Sequence, residues 1–266
     1  MRRAVFLAAT AVASLLGGLL CTSVAEAEVT TENVEYAHGD TLLEGFLAYD
    51  DALEGPRPGV LIVHQWMGLT ENEMMRARML AELGYVALAA DIYGKGVRPA
   101  NQDEAAALAG KHRADRPLLR ARVQAGLDML KQHELVDSAQ VAAIGYCFGG
   151  GVVLELARSG AELNAVISFH GNLDTPEPDD AKDIKCKLLV CHGADDPFVP
   201  AEQVAAFMEE MRGAGVDWQF IAYGGAVHSF TQEEAGHDNS RGAAYNQSAD
   251  RRSWQAMLQL LGEVFD

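Results

Sequence analysis

Cysteine is scarce in this chain, four residues in 266, too few for a scaffold built on disulfides at this length. Positive charge is also sparse: 21 Lys and Arg stand against 38 Asp and Glu, a formal net charge of −17. Such a surface repels phosphate backbones and anionic membranes, which argues against sequence-independent nucleic-acid binding. The histidines include no His-x-x-x-His pair at helical spacing, so a zinc site is not expected. There is no internal repeat and no linker long enough to split the chain. What is present is a globular composition, 49% hydrophobic and 22% charged, sufficient for one large domain.

The first residues read as a targeting segment. Arg2 and Arg3 form a basic start, Ala4 to Leu20 an uncharged apolar run, and Ala25-x-Ala27 the small residues a signal peptidase needs. Residues 1–27 are therefore expected to be a signal peptide, with the mature chain starting at Glu28 and located in the periplasm or secreted. The alternative is an uncleaved anchor, but the run is about 17 residues and rich in Ala and Gly, at the low edge of a membrane span. After cleavage no stable membrane association is expected. Leu20 is too bulky to precede a lipidated Cys21. Cys186 and Cys191 flank an apolar strand, roughly 16 Å apart on opposite faces, and are expected as buried core residues that cannot bridge.

Beyond residue 28, short apolar runs alternate with longer amphipathic stretches. Val29 to Tyr36 and Leu42 to Tyr49 read as strands joined by a Gly39-Asp40 turn. Gly59 to His64, Tyr85 to Ala90, Gln140 to Gly145, Ala165 to Phe169, Lys187 to Cys191 and Trp218 to Ala222 read as further strands. Thr70-x-x-Glu73 is a capping box that opens a helix with Met75, Met79 and Leu83 on one face. Further helices are expected near Gln102 to His112, Pro117 to His133 and Phe148 to Ser159. Two more are expected after Pro200 and over the final stripe Trp254, Met257, Leu258, Leu261 and Phe265. This alternation predicts an α/β fold: one doubly wound, mostly parallel sheet with helices on both faces.

One segment carries chemistry. A strand runs into Gly145-Tyr-Cys147-Phe-Gly149-Gly-Gly151, and a helix follows: Gly-x-Cys-x-Gly, a nucleophile elbow with Cys in place of Ser. A nucleophile on so sharp a turn needs neighbours without side chains. The helix N-terminus that follows presents free N–H groups and a positive dipole end to a thiolate or an oxyanion. Such a hydrolase fold orders its residues as nucleophile, acid, histidine. Asp195 and Asp196 follow the strand ending at Cys191, and His228 follows the strand ending at Ala222.

Together, Gly145-Tyr-Cys-Phe-Gly-Gly150, Asp196-Pro-Phe-Val-Pro200 and His228-Ser-Phe230 resemble the dienelactone hydrolase family (carboxymethylenebutenolidases), a branch of the α/β-hydrolases. The similarity runs from about Val34 to the C-terminus and includes Ala90-Asp-Ile-Tyr-Gly94 and Tyr245-x-x-x-Ala249-x-x-Arg252-Ser-Trp254. The resemblance implies a Cys147–His228–Asp196 triad that cleaves a small ester or lactone through a thiol ester. It gives the acid's role to Asp196 rather than Asp195. Backbone N–H groups of Phe148 and Trp66 would form the oxyanion hole, with Gln65 and Tyr93 as substrate-binding positions. His64 and His170 either line the pocket or are structural; His192 is expected to be structural. No metal or organic cofactor is called for, and the expected partner is a small-molecule substrate.

The sequence departs from the family at two places. Gln65 stands where a Glu helps to activate the thiol, and Thr231 and Gln232 follow Phe230 where an Arg holds the substrate carboxylate. Arg98 and Arg113 are candidates to replace that Arg, though nothing in the sequence places them in a pocket. Two other functional classes stay open on these residues: a non-catalytic relative that binds a ligand or partner, and a thiol redox protein acting through Cys147.

Overall fold

The computed structural model describes residues 29–265, so the expected signal peptide over 1–27, with Cys21, lies outside the described residues. The hairpin signalled by Gly39-Asp40 is formed by β1 (Val29–His38) and β2 (Thr41–Asp50), paired antiparallel with His38 opposite Thr41. Alternation then begins with β3 (Arg57–Val63), α1 (Glu71–Ala81), β4 (Val86–Ala90), α2 (Gln102–Ala114) and α3 (Arg116–Gln132). It continues through β5 (Val136–Tyr146), α4 (Phe148–Arg158), β6 (Ala165–Phe169), β7 (Lys187–Gly193), α5 (Ala201–Ala214), β8 (Trp218–Tyr223) and α6 (Gln247–Phe265). The strands make one 8-stranded sheet in the order β1-β2-β4-β3-β5-β6-β7-β8. Pairing is parallel from β4 across to β8 and antiparallel only for β1 and β2. The α/β fold read from the sequence is the one observed.

Because successive strand side chains point to opposite faces, each central strand feeds two cores. Leu61, Val63, Val141 and Ala143 join one cluster with Val123 and Leu127 of α3, Val152 and Leu156 of α4 and Phe207 of α5. Val60, Ile62, Ala142 and Ile144 join another with Leu80 of α1 and Met257 and Leu261 of α6. Cys186 packs into the first cluster and Cys191 into the second, both as free thiols. Behind the elbow, Arg158 of α4 pairs with Glu155 at 3.1 Å and Glu210 at 2.7 Å, and Arg120 reaches Glu155 at 2.8 Å. This buried ion network ties α4 to α3 and α5.

Two elements differ from the pattern reading. β5 begins at Val136 rather than Gln140, because Arg57 and Pro58 pair with Val136 and Asp137 before the register jumps to Gly59–Val141. The polar residues looped out at that irregularity hide the strand's start from any alternation rule. In α1 the buried face is not Met75, Met79 and Leu83, since Met75 and Leu83 are exposed. It is Glu73, Arg76, Ala77 and Leu80. The charged pair can be buried because each charge meets polar partners. Glu73 Oε2 accepts the backbone N–H and hydroxyl of Thr70, and Arg76 bonds Asp250 of α6 at 2.8 Å and the Thr231 carbonyl at 2.9 Å.

Candidate active site

Between β5 and α4 the chain reverses at a single residue. Cys147 sits at φ 52°, ψ −113°, a strained conformation for a residue with a side chain. The glycines around it are required by space. A Cβ on Gly145 would lie 2.1 Å from the Gly149 carbonyl oxygen, and one on Gly149 would lie 2.2 Å from the Val63 carbonyl oxygen. The elbow is therefore pressed against the carboxyl end of β3. Cys147 N–H is shared between the Phe169 carbonyl at 3.0 Å and His170 Nδ1 at 3.2 Å, which fixes the turn to β6.

The carboxyl ends of β7 and β8 bring the partners in. His228 Nε2 lies 3.1 Å from Cys147 Sγ, and His228 Nδ1–H donates to Asp196 Oδ2 at 2.8 Å. Asp196 Oδ1 accepts the Phe198 N–H at 2.8 Å, whereas Asp195 turns outward to the Gly225 N–H. The histidine's backbone is clamped on both sides: its N–H donates to the Gly242 carbonyl and its carbonyl accepts from Ala244. The Phe198 ring, 54% exposed, stands edge-on to His228 and leaves an apolar surface beside it. Cys147, Asp196 and His228 are all buried.

Burial is the largest single influence on both Cys147 and His228, and it disfavours charge on each. It is outweighed in both. The facing imidazole, then Arg113 and the Phe148 N–H, bring the Cys147 thiol below its ordinary value. The thiol and Asp196 raise the His228 imidazolium well above the usual histidine range. Both shifts run in the direction of a thiolate–imidazolium pair.

The segment after β3 supplies the facing wall, and three side chains hold it. Ile92 N–H donates to His64 Nε2 at 3.2 Å, so Nδ1 carries the proton and donates to the Gln65 carbonyl at 2.6 Å. Tyr93 hydroxyl donates to the Trp66 carbonyl at 3.0 Å, and Glu73 Oε1 faces the Gln65 N–H at 3.5 Å. Gln65 and Trp66 remain half-buried, beside the elbow side of the sheet. His170 is fully buried; its Nδ1 accepts from Cys147, so Nε2–H donates to Thr231 Oγ1 at 2.8 Å. The structure thus places His64 and His170 as hydrogen-bonded supports, each with both ring nitrogens engaged.

That support has a pH signature. Burial pushes His64 down to about 4, and burial followed by the nearby His228 charge pushes His170 well below the ordinary value. An unfolded chain takes up protons on these rings near pH 6.5 that the folded chain refuses. The stability these two rings contribute is therefore complete above pH 6.5 and falls as pH drops toward 4, His64 alone accounting for about 3 kcal/mol at the lower end. Urea unfolding at pH 7 and pH 4.5 should show this loss. His64→Gln should flatten the slope, and an unchanged slope in that variant would remove His64 from the account.

Thr231 and Gln232 are both buried, so the positions after Phe230 point into the protein. Arg98 is engaged with the Leu69 and Val97 carbonyls. Arg113, which the sequence could not place, lies with its guanidinium 5.8 Å from the centre of the Phe148 ring. Among the described residues no group of three His, Cys, Asp or Glu could hold a metal ion.

These positions all fall inside the region matched by a known family. The model of the dienelactone hydrolase family matches residues 43–265. The chain belongs to the dienelactone hydrolase family. An uncharacterised protein of Caenorhabditis elegans is 40% identical over 154 residues, which is 55% of this chain and 94% of that one. A solved dienelactone hydrolase-like promiscuous phosphotriesterase from metagenomic libraries is 43% identical. It covers 90% of this chain and 99% of its own, with a TM-score of 0.85. The crystal structure of dienelactone hydrolase from Anabaena variabilis covers the same 90% of this chain and 99% of its own. At 19% identity and a TM-score of 0.67 it shares the fold. As a member of the dienelactone hydrolase family the protein is a hydrolase.

Proposed function

We propose that this protein is an exported hydrolase that cleaves small carboxylic esters or lactones through a thiol-ester intermediate on Cys147. The observation that carries the reading is the line from Asp196 Oδ2 through His228 to Cys147 Sγ, with separations of 2.8 and 3.1 Å. In the first half-reaction the Cys147 thiolate attacks the carbonyl carbon. The oxyanion that forms is met by the backbone N–H groups of Phe148 and Trp66. Collapse breaks the bond to the alkoxide, which takes the proton from His228 Nε2 and leaves an acyl group on sulfur. Water then attacks the thiol ester, giving its proton to His228, and the second collapse releases the acid and restores the thiolate–imidazolium pair. Asp196 holds the histidine in the required tautomer throughout. Gln65 takes no part in proton transfer.

The test is hydrolysis of short-chain p-nitrophenyl esters by the chain from Glu28, with intact mass and peptide mapping after rapid acid quench. Turnover with an acyl adduct on the Cys147 peptide is the expected result. Turnover with no adduct there, or no turnover by folded, reduced protein, overturns the proposal. Export is tested by sequencing the N-terminus of protein recovered outside the cytoplasm after expression of the full chain: Glu28 is expected, and Met1 would refute cleavage.

A second reading is favoured by the 43% identical relative, a promiscuous phosphotriesterase. The same thiolate attacking phosphorus would release an aryl alcohol from a phosphotriester. Release of p-nitrophenol from paraoxon by this protein supports it; inertness toward paraoxon alongside ester turnover removes it.

A further inference from the structure

Among the described residues the buried arginines all have polar partners: Arg76 pairs with Asp250 and Arg158 with Glu155 and Glu210, while Arg57 and Arg122 donate to backbone carbonyls, with His38 and Thr41 also accepting from Arg122. Arg113 differs. It is half-buried in the last turn of α2 and, among the described residues, makes no ion pair and no hydrogen bond. A guanidinium is permanently charged, and removing part of its hydration without a partner is unfavourable unless something else meets the charge. Here it lies over the ring of Phe148 at 5.8 Å, a cation–π contact.

Phe148 links this cation to the nucleophile. Its ring carries the guanidinium, and its backbone N–H faces Cys147 Sγ. The charge of Arg113 also reaches both Sγ and the Tyr93 hydroxyl. No free carboxylate competes there. Position 65 is Gln, Glu73 is bonded to Thr70 and Asn72, and Asp91 accepts from the N–H groups of Tyr93 and Gly94.

We propose that Arg113 is a positioning residue for the nucleophile: its fixed charge, with His228, holds Cys147 as the thiolate before substrate arrives, in a site where Gln65 cannot accept the proton. The thiol proton resides on His228 Nε2, and no bond is made or broken at Arg113. This rests on Cys147 being the nucleophile. The groups facing Sγ are His228 from the loop after β8, Arg113 from α2 and Tyr93 from the end of β4. His170 lies behind, after β6, and His64 after β3. Burial keeps Tyr93 protonated and both of those histidines neutral near pH 6 to 9. The titration seen in that range therefore belongs to the Cys147–His228 pair.

The experiment is the rate of alkylation of Cys147 by iodoacetamide against pH, in the parent, Arg113→Gln and Arg113→Lys. It reads the thiol without needing ester turnover, so its failure is separate from failure of the proposed hydrolase activity. The midpoint should rise by about one pH unit in Arg113→Gln and return most of the way in Arg113→Lys. The rate well below the midpoint should fall only about threefold, because a more basic thiolate is also a better nucleophile. A superimposable Arg113→Gln profile overturns the proposal. So does an equal shift in both variants, which would point to the stacked shape rather than the charge. Iodoacetate provides the last arm: a loss confined to this anionic reagent would make Arg113 an anchor for reactant carboxylates and overturn the thiolate role.

Discussion

Replacing Cys147 with alanine will lower kcat/KM for p-nitrophenyl butyrate by on the order of 10⁵-fold or more, with no acyl adduct at any residue. The size follows from the role proposed for sulfur, which supplies the electron pair that no neighbour can replace. His228 would still face the substrate but could activate only water, without the approach geometry that the elbow fixes. Asp196→Asn should cost less, about 10⁴-fold. Asp196 Oδ2 accepts from His228 Nδ1, and an amide donating there instead would force the ring into the tautomer whose Nε2 already carries a proton. Its other oxygen accepts the Phe198 N–H, a bond an amide oxygen can keep, so the variant should remain folded. Steady-state kinetics with circular dichroism separates loss of chemistry from loss of structure. A folded Cys147→Ala variant keeping a tenth of the parent activity would end the covalent mechanism.

The parts of this architecture that were legible in sequence are those written locally. The elbow announces itself because only glycine can stand at Gly145 and Gly149, and the strand before Asp196 carries a continuous apolar run, Leu188 to Cys191. Proximity across the sheet was not legible. Met75, Met79 and Leu83 have the spacing of a buried face, yet α1 buries Glu73 and Arg76, because the partners that satisfy them lie at Thr70 and at Asp250 on the last helix. His64 and His170 could be read either way until their second hydrogen-bond partners, Ile92 and Thr231, were known. Arg113 carries no motif at all. Its position matters only because α2 folds back over a phenylalanine next to the cysteine, a relation with no local signature. Even the choice between Asp195 and Asp196, which the resemblance made from motif alignment, has a spatial counterpart: one carboxylate faces His228 and the other the Gly225 N–H.

Gly149→Ala will abolish folding or leave a protein destabilised by about 5 kcal/mol or more, comparable with the whole stability of many domains. The added methyl would lie 2.2 Å from the Val63 carbonyl oxygen and 2.7 Å from that of His64. Both obstacles are backbone, and Val63 belongs to a central strand paired on both sides, so neither can give way cheaply. The alternative is for the first turn of α4 to retreat, carrying Phe148 N–H and Cys147 away from the segment that holds Gln65 and Trp66. Any folded fraction should therefore show its defect in kcat more than in KM, because the displaced groups are those proposed to meet the oxyanion. Gly110→Ala in α2 is the control: nothing lies within 4 Å of its new methyl, and removing a helical glycine should stabilise by about 0.5–1 kcal/mol. Urea midpoints of the two variants should move in opposite directions. If Gly149→Ala unfolds with the parent's midpoint and turns over with the parent's kcat, the close contact between the elbow and β3 is not what holds the nucleophile in place.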